Sequence, residues 1–283
     1  MIRKIVLSII VLSGFSGCST PYIDRTHTAK SQDSRAQFLI LHYTAINNPK
    51  SLRVLTQDAV SSHYLVTDGG KDDESFPKPV IYQLVDETRR AYHAGVSYWK
   101  GHTQLNASSI GIEIVNLGYR DTAEGRQFFD YPKAQMDLVI ALVKKIVKEH
   151  DIKPDRILGH SDIAPQRKTD PGPRFPWKRL ADEGLISWFD DATVAAKRSE
   201  YEAVLPSMEW FQKKLDQFGY SVPLTGEFDK ATRSVLTAFQ LRFRQAKFDG
   251  EPDAETAAIL DAMTSSSTVL KQAAELGVIH LQN

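Results

Sequence analysis

The sequence predicts an α/β domain, with a central β-sheet and helices packed over it, followed by a small three-helix C-terminal domain. Three observations carry that reading. Short apolar runs such as Gln37-Phe38-Leu39-Ile40-Leu41-His42 and Ile110-Gly111-Ile112-Glu113-Ile114-Val115 are typical of buried strands. Between Pro132 and His150 the period changes, and Met136, Val139, Val143, Ile146 and Val147 recur at helical spacing. After about residue 200 apolar residues fall at helical spacing again, which separates a second region from the sheet-bearing one.

Taken in order, the chain begins with Arg3 and Lys4, the apolar stretch Ile5 to Leu12, and Phe15-Ser16-Gly17 just before Cys18. That apolar run is too short to span a bilayer, so residues 1–17 read as a cleaved export signal. Cys18 is the only cysteine, which excludes an intramolecular disulfide and leaves no thiolate for a metal site in the folded body. The Gly17-Cys18 junction resembles a bacterial lipobox, although Phe15 stands where leucine is commonest. The resemblance implies that Cys18 is acylated, and each buried methylene of the acyl chains contributes about 0.8 kcal/mol to anchoring. Ser19 after the cysteine implies, by the same resemblance, the outer membrane of a Gram-negative cell, with the protein on its periplasmic face. An ordinary signal peptide followed by an incidental cysteine is the alternative. Residues 18–35 are polar, show little periodicity, and read as the lipidated tether.

Further strands are expected at Ser62-His63-Tyr64-Leu65-Val66, Val80-Ile81-Tyr82-Gln83-Leu84-Val85 and Arg156-Ile157-Leu158-Gly159-His160. Pro132 suits the first turn of the helix that follows it. Proline-rich sequence from Pro165 to Pro176 makes a long regular element there unfavourable. In the C-terminal region Met208, Phe211, Leu215 and Phe218 mark one helix ending near Gly219. Leu236, Phe239 and Phe243 mark a second, with Asp229 as N-cap, and a third begins after Asp253.

Composition narrows the function. The chain has 283 residues, enough for more than one compact core, and 42% of them are apolar. Thirty-five basic residues balance thirty-five acidic ones, so the basic footprint of a nucleic-acid binder is absent.

The informative polar residues sit at or in apolar strands. His42 closes the first run, Glu113 interrupts a very apolar one, and His160 closes the last, ahead of a loop that contains Asp170. Each alone has an ordinary explanation, since strand-end histidines are usually structural and strand carboxylates usually face solvent. Two histidines and an aspartate suit zinc and leave a fourth position for water. Their spacing is non-local, so composition by itself leaves a zinc hydrolase and a structural reading both open.

Longer segments carry a specific resemblance. Ile40-Leu41-His42-Tyr43-Thr44, Ser61-Ser62-His63-Tyr64-Leu65-Val66, Ala91-Tyr92-His93-Ala94-Gly95, Ser109-Ile110-Gly111-Ile112-Glu113-Ile114-Val115-Asn116 and the run from Gly159 to Pro173 occur in family order. They resemble the N-acetylmuramoyl-L-alanine amidases that share a fold with phage T7 lysozyme and the peptidoglycan recognition proteins. The full layout is similar to the outer-membrane lipoprotein amidases of enteric bacteria. That resemblance implies an α/β fold with a central mixed β-sheet flanked by helices. It implies zinc held by His42, His160 and Asp170, with Glu113 and Lys168 as catalytic residues and peptidoglycan muropeptides as substrate. His93, Asn116 and Trp99 are expected to border the substrate groove. His63 is expected to pack or hydrogen-bond inside the fold, and Asp162 to order its loop.

Residues from about Tyr201 to Ala274 resemble the three-helix peptidoglycan-binding module found beside many cell-wall hydrolases. The likeness rests on Gln212-Lys213-Lys214-Leu215, Gly219-Tyr220, Gly226, Thr232 and Ala238-Phe239-Gln240, although the usual Asp-Gly turn is Thr225-Gly226 here. A helical spacer that binds nothing is the alternative. The expected organisation is therefore a zinc amidase domain at 36–183, a linker at 184–200 and a helical peptidoglycan-binding-like domain at 201–283, in a monomer. Two rivals remain at this point: a non-catalytic peptidoglycan receptor on the same fold, and a zinc peptidase cutting within the stem peptide.

Overall fold

The computed structural model describes residues 20–70 and 75–265. The export signal at 1–17 and the lipidation site Cys18 lie outside the described residues. From Ser34 the described residues form one compact unit.

That unit opens with β1 (Phe38–Tyr43), α1 (Asn48–Gln57), β2 (Tyr64–Val66) and β3 (Ile81–Gln83). A small ribbon, β4 (Tyr98–Trp99) and β5 (His102–Thr103), precedes β6 (Ser109–Ile114) and the hairpin β7 (Tyr119–Thr122) and β8 (Gly125–Phe128). The long helix α2 (Lys133–His150) leads to β9 (Ile157–Gly159), the short α3 (His160–Ile163) and α4 (Trp177–Asp182). Four helices complete the described chain: α5 (Asp191–Ala203), α6 (Met208–Phe218), α7 (Lys230–Phe243) and α8 (Ala254–Thr264).

The main sheet has the order β3-β2-β6-β1-β9. β1 runs parallel to β6 and β9, β2 runs parallel to β6, and β3 is antiparallel to β2, so the sheet is mixed. Both faces of its central strands are covered, so those strands are largely buried. One face sends Leu39, Leu41, Ile110, Ile112 and Ile114 against Met136, Val139, Val143 and Ile146 of α2. The helical spacing of those α2 residues is what allows a single stripe to cover the sheet.

The other face joins the two halves of the protein. Phe38, Ile40 and Leu158 share a continuous apolar cluster with Trp99 and Leu105, and with Phe211, Leu215, Tyr220, Phe239 and Phe243 of the C-terminal helices. The stretch expected as a linker, 184–200, contains most of α5, which packs against α8. Asp190, Ser207, Asp229 and Asp253 cap α5 to α8 by accepting backbone N–H groups.

A shared core predicts joint unfolding. Far-UV circular dichroism and tryptophan fluorescence should follow one thermal transition in the full chain, because Trp99 and Trp177 report on packing that both halves supply. Phe239→Ala should lower stability by about 3–5 kcal/mol and move both signals together. Two separated transitions would show independent units.

Candidate metal centre and catalytic site

Sheet register brings the first two site residues together. In the parallel β1–β6 pair, Phe38 stands beside Ser109, Ile40 beside Gly111, and His42 beside Glu113. Side chains alternate across a strand, so His42 and Glu113 share one face while Ile112 and Ile114 enter the α2 core on the other. β9 ends next to β1, and His160 follows it at the head of α3.

The loop after α3 returns Asp170 to the same place. The Ser161 N–H donates to the Asp170 carbonyl at 2.9 Å. A Cβ on Gly159 would lie 2.7 Å from Pro171 Cδ. The two ligand-bearing backbones therefore meet only because residue 159 has no side chain.

Nδ1 of His42, Nδ1 of His160 and Oδ2 of Asp170 lie within 3.0 to 3.1 Å of one another. All three residues are buried. Tetrahedral zinc with ligands at ~2.0–2.1 Å needs donor atoms about 3.3 Å apart, so this set fits the ion with a shift of a few tenths of an ångström. Glu113 supports the fit. Its Oε2 is sealed from solvent and makes no hydrogen bond among the described residues, although Glu113 borders the cleft that His160 and Asp170 line. Lys168 borders that cleft too.

A second group, Glu87, Glu149 and His150, also brings donor atoms together. Lys145 approaches both of its carboxylates, and His150 Nε2 lies 2.6 Å from Glu87. That arrangement is an ion-pair network.

Each histidine of this candidate metal set is oriented through its far nitrogen. With Nδ1 facing the centre, Nε2 of His42 carries the proton and donates to His93 Nδ1 at 3.0 Å. His93 then donates from Nε2 to Ser109 Oγ at 3.2 Å, and Ser109 donates to the Leu105 carbonyl at 2.6 Å. Nε2 of His160 donates to the Ala94 carbonyl at 3.2 Å. Such partners fix the tautomer and aim of a ligand. They are themselves held by Asn106, whose Oδ1 accepts the N–H groups of His93 and Ala94 at 3.0 and 2.7 Å. Gly111 leaves room for the His93 ring, since a Cβ there would lie 2.6 Å from His93 Cγ.

Three expectations change on this geometry. His93 borders the cleft as expected, but both ring nitrogens are committed inside the protein, to His42 and Ser109. Trp99 does not border it. It is 1% exposed, donates from Nε1 to the Asp155 carbonyl, and packs edge-on against Phe218 and Tyr220. Asn116 does not border it either; its amide donates to the Phe129 and Asp130 carbonyls and its Oδ1 accepts the Gly118 N–H, which shapes the base of the β7–β8 hairpin. His63 accepts the Gly111 N–H at 3.0 Å, the internal bonding role expected of it.

Burial sets the charge states. Desolvation, with His160 adding to it, lowers His42 to about 4, so the imidazole is neutral and free to bind a metal. Burial would raise Asp170, but its contacts with His160 and His42 outweigh this and hold the carboxyl far below the usual carboxylate range. Glu113 moves the other way. Burial, reinforced by Asp170 and partly offset by Lys168, raises it to about 8.

Two histidines and an aspartate, beside a cleft of about 360 Å³ and a carboxyl of raised pKa, form the site of a hydrolase. A family model described as N-acetylmuramoyl-L-alanine amidase matches residues 32–173, and the chain belongs to that family and is an enzyme of that class. A peptidoglycan binding domain model matches residues 205–260. N-acetylmuramoyl-L-alanine amidase AmiD of Escherichia coli is 40% identical over 244 residues, covering 85% of this chain and 87% of that protein. The crystal structure of AmpDh3 from Pseudomonas aeruginosa aligns with a TM-score of 0.78 at 41% identity, over 86% of this chain and 97% of that one. The complex of Escherichia coli AmiD with anhydro-N-acetylmuramic acid-L-Ala-D-gamma-Glu-L-Lys aligns with a TM-score of 0.75 at 38% identity, over 87% and 95% of the two chains.

The raised Glu113 pKa has a measurable consequence in metal-free protein. Between the ordinary value of 4.5 and about 8, the native state holds a proton that the unfolded chain has released. Stability from this group is therefore present below the lower value and lost as pH rises through the upper one. Glu113→Gln removes that loss. In metal-free samples its melting temperature should rise relative to the parent as pH increases across the window. A difference that stays constant with pH would mean the carboxylate is not desolvated.

Proposed function

We propose that the chain is a zinc-dependent amidase that hydrolyses the bond between the lactyl group of N-acetylmuramic acid and L-alanine in peptidoglycan. The observation that carries the reading is the Glu113 Oε2, without a hydrogen-bond partner among the described residues, in a cleft lined by His160 and Asp170, whose donor atoms converge with that of His42. His42, His160 and Asp170 hold the zinc, which when bound supplies Lewis acidity for the scissile carbonyl and the attacking water. Glu113 takes the proton of the water and later delivers a proton to the departing amine of L-alanine. The Lys168 ammonium, which makes no hydrogen bond among the described residues, stabilises the oxyanion that develops on the carbonyl oxygen.

Anhydro-muramyl peptides are included among the substrates. The support is the similarity to Escherichia coli AmiD and to Pseudomonas aeruginosa AmpDh3, whose structures hold an anhydromuramic tripeptide and pentapeptide. The helical region from about residue 201 is a peptidoglycan-binding domain, joined to the amidase domain at 36–183. The amidase acts in cell-wall turnover and recycling from the periplasmic face of the outer membrane, anchored through acylated Cys18.

Mass spectrometry of purified muropeptides tests the reaction. Products should be intact stem peptide with an L-alanine amino terminus, lost on chelation and restored by zinc. Cleavage inside the stem, or full turnover in metal-free protein, would overturn it. Glu113→Gln should retain zinc and lose roughly 10²–10⁴ in rate. Lys168→Ala should retain zinc and lose roughly 10²–10³.

Anchoring has its own test. Labelled palmitate and glycerol should enter the wild-type protein in cells and fail to enter Cys18→Ala. Absence of label from the wild type would leave an ordinary export signal.

A further inference from the structure

The helical region reaches the metal centre through a single carboxylate. Asp162 stands two residues after His160 and is 1% exposed. Its Oδ2 accepts the Gly159 N–H at 2.8 Å, which fixes the turn from β9 into α3. The same oxygen accepts Nη1 of Arg242, on α7, at 2.8 Å. Its Oδ1 accepts the Tyr220 hydroxyl, just beyond α6, at 2.6 Å.

The two partners from the helical region are fixed from behind. Arg242 is 4% exposed and its guanidinium lies over the Trp177 ring at 4.5 Å. Tyr220 is fully buried and packs edge-on against Trp99 with ring centroids 5.0 Å apart. The backbone repeats the link, with Lys100 N–H donating to the Gly219 carbonyl at 2.9 Å. A buried ion pair is a weak device for stability, because desolving both charges offsets much of their attraction. What it supplies is direction: each oxygen of Asp162 has one orientation that serves its partners.

We infer that Asp162, Tyr220 and Arg242 form a positioning hub by which the helical region aims the imidazole of His160 at the zinc site. Asp162 acts through the Gly159–His160 turn and does not touch the metal, so it is a positioning residue. The role extends the zinc reading above and rests on it. It also gives the helical region a part in hydrolysis that is separate from any binding of peptidoglycan.

The test uses full-length protein and three substitutions. Tyr220→Phe removes one hydrogen bond and keeps the ring packing. Asp162→Asn removes the charge and one acceptor. Val235→Ala, in the same apolar cluster but with no polar side chain to bond Asp162, controls for loss of stability alone. Zinc affinity is read by competition with a fluorescent chelator, together with metal-free melting temperature, kcat and KM on a soluble muropeptide. Asp162→Asn should weaken zinc binding by about 10- to 100-fold, the range for lost partners of metal ligands, and Tyr220→Phe by less. Both should lower kcat with KM unchanged, while Val235→Ala should lose melting temperature and keep parental zinc affinity. If Asp162→Asn fails to fold, Tyr220→Phe carries the test. A zinc-loaded parent matched in affinity and kcat by its folded hub variants overturns the hub alone, as does a Val235→Ala protein whose zinc affinity falls with its stability. A parent that takes up no zinc overturns the metal reading, and the hub with it.

Discussion

The site depends on the register of the parallel β1–β6 pair. Its period of two gives His42 and Glu113 a common face, and a slip of one residue would turn one of them toward α2. Burial on both sides holds that register. Ile110, Ile112 and Ile114 can fill only the α2 side, where Met136, Val139 and Val143 wait for them. On the opposite side β6 presents Ser109, Gly111 and Glu113 in succession. Ser109 bonds His93, Gly111 leaves the space its ring occupies, and Glu113 enters the cleft. One strand face thus carries the carboxyl proposed to be catalytic and the group that supports His93.

Low polarity around these groups acts on each according to its charge. Removing water penalises whichever form is ionised, so the same surroundings keep His42 neutral and raise the proton affinity of Glu113. Asp170 escapes because two imidazoles contact its Oδ2 directly. Donor atoms ready to bind and a base of useful strength therefore follow from one dry environment, with no separate device for each.

Much of the fold was legible because its elements bury apolar stripes. The strands around 37–42 and 110–115, the helix at 132–150 and the capped helices after Asp229 and Asp253 follow from period and capping chemistry. The elements that periodicity passes over have little to bury. α1 buries only Leu55 among its apolar residues, α5 only Val194, and the β7–β8 hairpin is mostly exposed. At the site, the segments around His42, Glu113, His160 and Asp170 were recognisable as a set, and the structure gathers them at one cleft. Trp99 and Asn116 show the limit of that recognition. Trp99 follows one matched segment and Asn116 ends another, yet Trp99 fills the joint with the C-terminal helices and Asn116 bonds the base of the β7–β8 hairpin. Asn106 and the Ala94 carbonyl orient the ligands without any periodic or motif signal, because hydrogen bonds to backbone leave no pattern in the sequence.

The joint between the two halves changes what the helical region can do for the enzyme. A binding module on a flexible linker raises the local concentration of its partner and leaves the active site free to turn. Here Phe38 and Ile40 of the sheet share a core with Phe211 and Phe239, and Gln166 and Gln245 donate to the carbonyls of Ala231 and Phe175 across the same boundary. Such a joint gives up reach and fixes orientation. Any strand held by the helical surface is presented to the cleft at one angle and one distance. The same rigidity lets strain pass inward, because Arg242 and Tyr220 end on the carboxylate that orders the turn before His160. The turn that carries His160 is therefore held partly by residues of the C-terminal helical region, which supplies no member of the His42–His160–Asp170 group.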